Sequence, residues 1–425
     1  MSKLQPGIRK LSNLISRLHS LATSRDKFFI AFAAALLIRF VASWLSHGTP
    51  VVDVHTFFVW AERFDEGQNP YTTSEPANYP PLWVFVCWCC LKASHVTGLS
   101  FDLWIKLFIS TVDAASVWPI AWLVRAVAAT DNTALRAAWG YAVNPVPILI
   151  AACHGQNDPV AIGLIIWAAW LFVATPGRFA RALGMLLVGL SLTVKPIAVL
   201  FVPIFLASLP GWWPRVSGLA IAGLPSLAVW LPYLNQNPHS VLVAVTSYGG
   251  VPDFGYVGIF NSWCNLGHGS AGLPIVESKH IGWQFRAVWM ALVAAAWWKK
   301  RAAELIEQLV WIVVCLYLVY GLLAAQYLMW LVPFAAAAGS RRLWRSSAWS
   351  AVTLFAFYQL HHPTIIRGGE FQRVNLPIGI PQWSGIFLIA HVMLYFHWLC
   401  WWWELAVPPG FWRRRLHDLG LVKND

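Results

Sequence analysis

The chain predicts an all-α polytopic membrane protein, a bundle of about twelve transmembrane helices with juxtamembrane helices in the first external loop. Three observations predict it. Of 425 residues, 58% are hydrophobic and only 11% charged, whereas water-soluble chains carry about 25% charged residues, so the surplus apolar surface needs lipid. The apolar residues come in runs approaching the ~20 residues that cross a bilayer. The 28 tryptophans suit a protein with many interfacial anchors. Collagenous, disordered and disulfide-scaffold classes are excluded by the same composition. A formal charge of +12 would point to nucleic acid only if the 30 Lys and Arg shared a solvated face. They stand instead in short knots between apolar runs, which is a topology signal, and no nucleic-acid partner is expected.

In chain order, residues 1–27 form a cytoplasmic segment with Lys3, Arg9, Lys10, Arg17, Arg25 and Lys27. The apolar run that follows ends without a small-residue cleavage site, so it reads as a retained helix. Spans are predicted near 28–46, 101–124, 138–152, 158–174, 181–192, 196–208, 216–233, 281–298, 304–323, 325–338, 346–361 and 381–403. Together they make one transmembrane domain over 28–403, followed by a basic cytoplasmic tail over 404–425. With the N-terminus inside, 21 of the 30 basic residues fall on cytoplasmic segments. That count requires residues 80–97, which open on Pro80-Pro81 and carry Lys92 and His95, to be a juxtamembrane or re-entrant helix. The alternative, a span at 80–97, inverts every later loop. External loops are then 47–80, 234–280 and 362–380. They gather Asp53, Glu62, Asp65, Glu66, Asp253 and other acids, so the working surface is expected outside.

The seven cysteines sit mainly in apolar runs without paired spacing, and Cys87, Cys89 and Cys90 lack a second ligand cluster, so no metal site is predicted. The chain has no nucleotide-phosphate motif and no internal repeat. No cofactor is expected, and any activated substrate must carry its own activation.

Polar residues at membrane depth are costly and tend to be functional. Asp53, just past the first span, suits a general base at the outer mouth of a bundle; it equally suits the N-cap of a helix over 54–65. Asn78-Tyr79-Pro80-Pro81-Leu82 reads as a rigid turn. His154-Gly155-Gln156-Asn157-Asp158-Pro159 and Ser191-Leu192-Thr193-Val194-Lys195-Pro196 interrupt apolar runs. The Lys195 ammonium needs relief from a lipid phosphate, a nearby carboxylate or snorkelling. His154, Gln156 and Asn157 either bind hydroxyls or pack a helix junction. Glu62, Asp65 and Glu66 read as a solvated helix face. Arg39, inside the first span, requires a partner, and Asp113 in the second is the structural candidate.

Taken together, these segments resemble the GT-C glycosyltransferases that use polyprenyl-phosphate sugars, both the bacterial polyprenyl-phosphomannose-dependent enzymes and the ER dolichyl-phosphate glucosyl- and mannosyltransferase branch. The likeness lies in order as well as content. An Asp in the first external loop is followed by Tyr-Pro-Pro-Leu, then His-x-Gln-x-(Asn/Asp), then the Ser-Leu-x-x-Lys break. Later, Asn261-Ser262-Trp263-Cys264 is similar to the ER enzymes' Asn-Phe-Trp-Cys region, and Gln326-Tyr327-Leu328-Met329-Trp330 to a penultimate-helix motif of bacterial members. The sequence departs from the ER pattern at Gly155, where that branch has an aromatic residue, and before Asn261, where its acidic stretch is missing.

The resemblance implies an inverting hexosyltransferase, with mannose the expected sugar, that moves it from a polyprenyl phosphate to a lipid-linked or surface acceptor on the non-cytoplasmic face. Asp53 would be the base. Lys195, Arg367, Arg373, His361 and His362 would bind the donor phosphate, and His154, Gln156, Asn157, Tyr79, Gln326 and Tyr327 the substrates. For the two arginines the competing reading is a solvated loop or a headgroup contact, and for His361-His362 an interfacial helix end. The expected partners are membrane lipids, the polyprenyl-phosphate sugar and the glycan acceptor, and the expected location a bacterial inner membrane, or the ER membrane of a eukaryote. A lipid-linked saccharide flippase or transporter is the competing class, since broken helices and mid-membrane charge occur there too. Polar motifs gathered on one face favour the enzyme.

Overall fold

The computed structural model describes residues 24–48, 52–73, 76–128, 131–175, 177–247, 250–268, 282–361 and 380–407. Among these the regular structure is helical, apart from one isolated antiparallel bridge between Phe254 and Leu323. Helix α1 (Ser24–Ser46) is followed by α2 (Val52–Asp65) and α3 (Pro81–Thr97). Next come α4 (Phe101–Ala115), α5 (Val117–Ala128) and α6 (Asp131–Ala142). A π-helical turn, Ile148–His154, leads to the α7 (Asp158–Ala174) and α8 (Arg178–Val194) pair. A 3₁₀ turn, Pro196–Phe201, precedes α9 (Val202–Ala207), then α10 (Trp212–Gln236), α11 (Pro238–Ser247) and α12 (Gly255–His268). The chain continues through α13 (Trp283–Lys300), α14 (Leu305–Val319), the 3₁₀ turn Ala325–Met329, α15 (Leu331–Ala337), α16 (Leu343–His361) and α17 (Ile380–Ala406).

Among the described residues four stretches are long and apolar enough to cross a bilayer: Asp26–Ser46, Phe101–Val127, Trp212–Gln236 and Gly385–Ala406. The shorter apolar helices among the described residues are Asp158–Ala174, Ala198–Ala207, Leu305–Val319 and Ala325–Ala337, so the long stretches number four where twelve spans were predicted. Helices this short are sustained inside a bundle because neighbours, not lipid, surround their ends. α7 shows it: nearly every residue from Asp158 to Ala169 is buried, on all faces.

Hydropathy locates the rods to within a few residues and misses their breaks. The run predicted as 138–152 is the end of α6, the Asn144-capped turn at Pro145 and the π-helical turn. The segments 196–208 and 325–338 each begin as a 3₁₀ turn. The 80–97 segment is a helix starting at Pro81, with proline at the first position, where its missing N–H costs nothing. It closes at Gly98 in the left-handed conformation. It is not among the long apolar stretches.

Two cores hold the bundle. The larger runs through α1, α4 to α9 and α14 to α17. The smaller lies over the first loop, where Val54, Phe57 and Trp60 of α2 pack on Tyr71, Tyr79 and Trp83. Phe57 meets the Trp83 and Tyr79 rings edge-on at centroid distances of 5.3 and 5.7 Å. α2 and α3 therefore form a rigid cap, not a floppy loop.

α1 and α4 are joined by a polar seam. Arg39 donates from Nε to Asp113 Oδ2 at 2.5 Å and from Nη1 to Ala142 O at 2.8 Å, while Tyr141 hydroxyl bonds the other oxygen of Asp113. The Ser43 and Ser110 hydroxyls lie 3.1 Å apart, and Lys106 Nζ reaches Asp102 at 2.9 Å and Ser46 O at 2.7 Å. Each charge is fully or nearly buried and each is paired, the condition under which charge survives in such surroundings. The expected Arg39–Asp113 pair thus forms, and it is structural.

Candidate active site

The site is built where four chain breaks converge: the start of α2, the His154–Asp158 junction, the Lys195 break and the Ala325–Met329 turn. Asp53 is the second residue of α2 and lies within its first turn. Its carboxylate does not serve as a cap; His154 Nε2 is 3.1 Å from Asp53 Oδ2, and His154 Nδ1 is 2.8 Å from the Tyr358 hydroxyl of α16. Both ring nitrogens of His154 are thereby engaged, so the imidazole orients Asp53 and leaves no free nitrogen of its own.

Burial of Asp53 pushes its carboxyl up, but the His154 bond and charge, the Lys195 charge and the nearby Gln156 amide outweigh this and hold it below the usual carboxylate range. The Asp53 side chain keeps 39% of its surface open, against 5% for His154. The carboxylate is ionised, fixed on one side and accessible on the other.

Gly155 makes the approach possible. It takes φ +78°, and a Cβ there would stand 2.9 Å from Val54 Cγ2 and 3.2 Å from Lys106 Cγ. The N–H groups of Gly155 and Gln156 both return to Ile150 O, closing the π-helical turn. The aromatic residue expected at this position in the ER pattern could not fit against α2.

Lys195 is extended at the C-cap of α8. Its ammonium pairs with Asp158, so a nearby carboxylate does relieve it. It also lies over the Tyr79 and Tyr327 rings at 5.5 and 5.2 Å, and Trp330 Nε1 donates to Asp158 Oδ1 at 2.6 Å. An ammonium between two aromatic faces gains cation–π attraction. Tyr71 hydroxyl fixes the Tyr79 carbonyl at 2.8 Å, and Tyr317 hydroxyl bonds the Tyr327 carbonyl.

Asn157 Nδ2 donates to Val194 O at 3.3 Å, tying the two junctions together, whereas Asn157 Oδ1 and both ends of the fully buried Gln156 amide have no hydrogen-bond partner among the described residues. Gln156 lies close enough to act on Asp53 without completing a bond. Gln326 is buried within the same 3₁₀ turn as Tyr327. His362, Arg367 and Arg373 lie outside the described residues, as does the side chain of His361 at the end of α16. Among the described residues no three His, Cys, Asp or Glu side chains converge to hold a metal ion.

Three members were not assigned from sequence. Asp158 was visible in the His154–Pro159 segment, and its pairing with Lys195 could have been suspected from two polar breaks in adjacent apolar runs. Tyr358 stands in a predicted span, 204 positions from His154, and no local signal reveals it. Asp253 lies in the long loop predicted over 234–280. Burial and the negative charge of Asp53 push its carboxyl up to about 7. The bridge from Phe254 to Leu323 holds it beside the chain that leads into Tyr327, and the Phe254 ring packs on Phe357 at 5.2 Å, next to Tyr358.

No family model matches the sequence, and no curated protein does. Among solved structures the chain is similar to ArnT from Cupriavidus metallidurans, crystallised bound to undecaprenyl phosphate, at 12% identity and a TM-score of 0.49, over 87% of this chain and 75% of that one. At that level nothing of that protein's chemistry carries over to this chain.

Proposed function

We propose that the chain is an integral membrane glycosyltransferase of the GT-C type that moves a hexose, mannose by preference, from a polyprenyl-phosphate sugar to a hydroxyl acceptor on the non-cytoplasmic face. One observation carries the reading. Asp53, ionised and open on one side, shares a mouth with Lys195, whose charge it feels, and with the aromatic faces of Tyr79 and Tyr327. The order of the sequence motifs supports it, since the segments that bear Asp53, Tyr79, His154, Lys195 and Tyr327, five of those that resemble GT-C enzymes, lie together.

In this reading the free oxygen of Asp53 accepts the proton of an acceptor hydroxyl. The acceptor oxygen attacks the anomeric carbon from the face opposite the phosphate, the carbon–oxygen bond to phosphate breaks, and the lipid phosphate leaves with the electron pair, so the configuration inverts. His154 keeps Asp53 aimed through its bond to Tyr358. Charge develops on the leaving phosphate, where fixed positive groups act most strongly. Lys195 supplies one while remaining paired to Asp158; Arg367, Arg373, His361 and His362 are the further candidates. Gln156, with an unpartnered amide, and Asn157, with an unpartnered oxygen, are placed to take sugar or acceptor hydroxyls.

The test is donor dependence. Membranes containing the protein should transfer radiolabelled sugar from polyprenyl-phosphate mannose or glucose and not from a nucleotide sugar. Transmembrane movement of intact lipid-linked saccharide without glycosidic transfer would identify a flippase instead.

A further inference from the structure

At the bundle end that bears the starts of α8 and α10 and the end of α13, two clefts flank the turn from Leu209 to Trp213. One, about 560 Å³, is lined by Arg215 and Arg301 with Trp212, Trp298, Leu206 and Leu219. The other, about 650 Å³, is lined by Arg178 and Arg181 with Trp213, Met185 and Ile221. Among the described residues none of the four arginines has a carboxylate partner. Arg215 Nε donates to Leu209 O at 3.1 Å, and Arg301 Nη1 to Trp298 O at 2.7 Å, with its guanidinium 4.2 Å above the Trp298 ring. These bonds aim the cations and leave their charge uncompensated.

Trp212 and Trp213 project beside them, 71% and 78% exposed. Adjacent tryptophans with no protein cover are what a headgroup region accommodates, since the indole has an apolar body and a polar edge. Cation pairs over apolar walls match an anionic phosphodiester with acyl chains below it; a zwitterionic headgroup brings its own cation and gains less.

We propose that these clefts bind anionic phospholipid, one headgroup phosphate to each arginine pair, on the leaflet opposite the Asp53 mouth. The phosphate lies between the guanidinium groups, the acyl chains run down the apolar walls, and the two tryptophans seat the turn at headgroup level. The site is separate from Asp53 and does not depend on the transferase reading.

Native mass spectrometry of the full-length protein released from detergent tests this with added phosphatidylglycerol or phosphatidylcholine. The wild type should retain phosphatidylglycerol at least tenfold better than phosphatidylcholine. Arg215→Ala/Arg301→Ala should lose about half of the tightly bound lipid, and addition of Arg178→Ala/Arg181→Ala the remainder. Arg125→Ala/Arg136→Ala, which alters other surface arginines, should change nothing and reports any loss due to poor folding. Equal retention of the two lipids, undiminished phosphatidylglycerol in the fourfold variant, or displacement by millimolar inorganic phosphate each overturns the proposal; the last would mark a free-phosphate site.

Discussion

At the scale of single residues, Asp53 and Asp253 divide the electrostatic work. Asp53 is held ionised by His154 and Lys195 despite burial, and Asp253 is pushed up to about 7 by its own burial and by the charge on Asp53. The charged group that acts on Asp253 is Asp53 of α2. Below about pH 7 Asp253 carries its proton, and with Asp158 paired to Lys195 the mouth keeps the one uncompensated negative charge of Asp53. Above pH 7 it ionises and adds a second, which repels an anionic donor. Repulsion between two unit charges across such a partly solvated mouth is on the order of 1 kcal/mol, or about fivefold. The donor KM should therefore rise as pH passes upward through about 7, and Asp253→Asn should flatten that rise without lowering kcat. An unchanged pH profile in the variant would remove Asp253 from the site.

At the scale of elements, the breaks between helices hold the chemistry and the helices hold the breaks in place. Gly155 is the test of this. Alanine there must adopt a positive φ and push against Val54 and Lys106, at a cost of about 1–3 kcal/mol. Gly155→Ala should lower thermal stability in detergent and, by shifting α2, lower transfer more than the stability loss accounts for. A similar close approach binds α8 to α10, where a Cβ at Gly189 would lie 2.3 Å from Ala222 O. Hydropathy made the rods legible because burial in lipid or bundle demands continuous apolar sequence. The helices α11 and α12 lie inside the predicted loop 234–280 and escaped hydropathy. The juxtamembrane helices α2 and α3 were legible, but their packing was not, because it joins residues far apart in sequence, such as Tyr71 and Trp230.

At the scale of the molecule, polar residues were legible as exceptions in an apolar chain, and their partners were not. Asp53, His154, Lys195, Tyr79 and Tyr327 stand out in sequence and do meet. Asp158, Tyr358 and Asp253 complete the site through contacts that only the bundle's geometry creates. The buried Arg39–Asp113 pair shows the same logic applied to stability. Asp113→Ala leaves Arg39 charged without its carboxylate and should cost ~3–5 kcal/mol, while Arg39→Met/Asp113→Leu should recover most of it; a double-mutant cycle in detergent unfolding measures the difference. The central claim concerns Asp53, and single-turnover transfer from polyprenyl-phosphate mannose tests it most directly, comparing wild type with Asp53→Asn at matched protein level. Loss of an ionised base with retention of shape should slow transfer by about 10²- to 10⁴-fold while donor binding persists. Transfer at the wild-type rate would contradict the account.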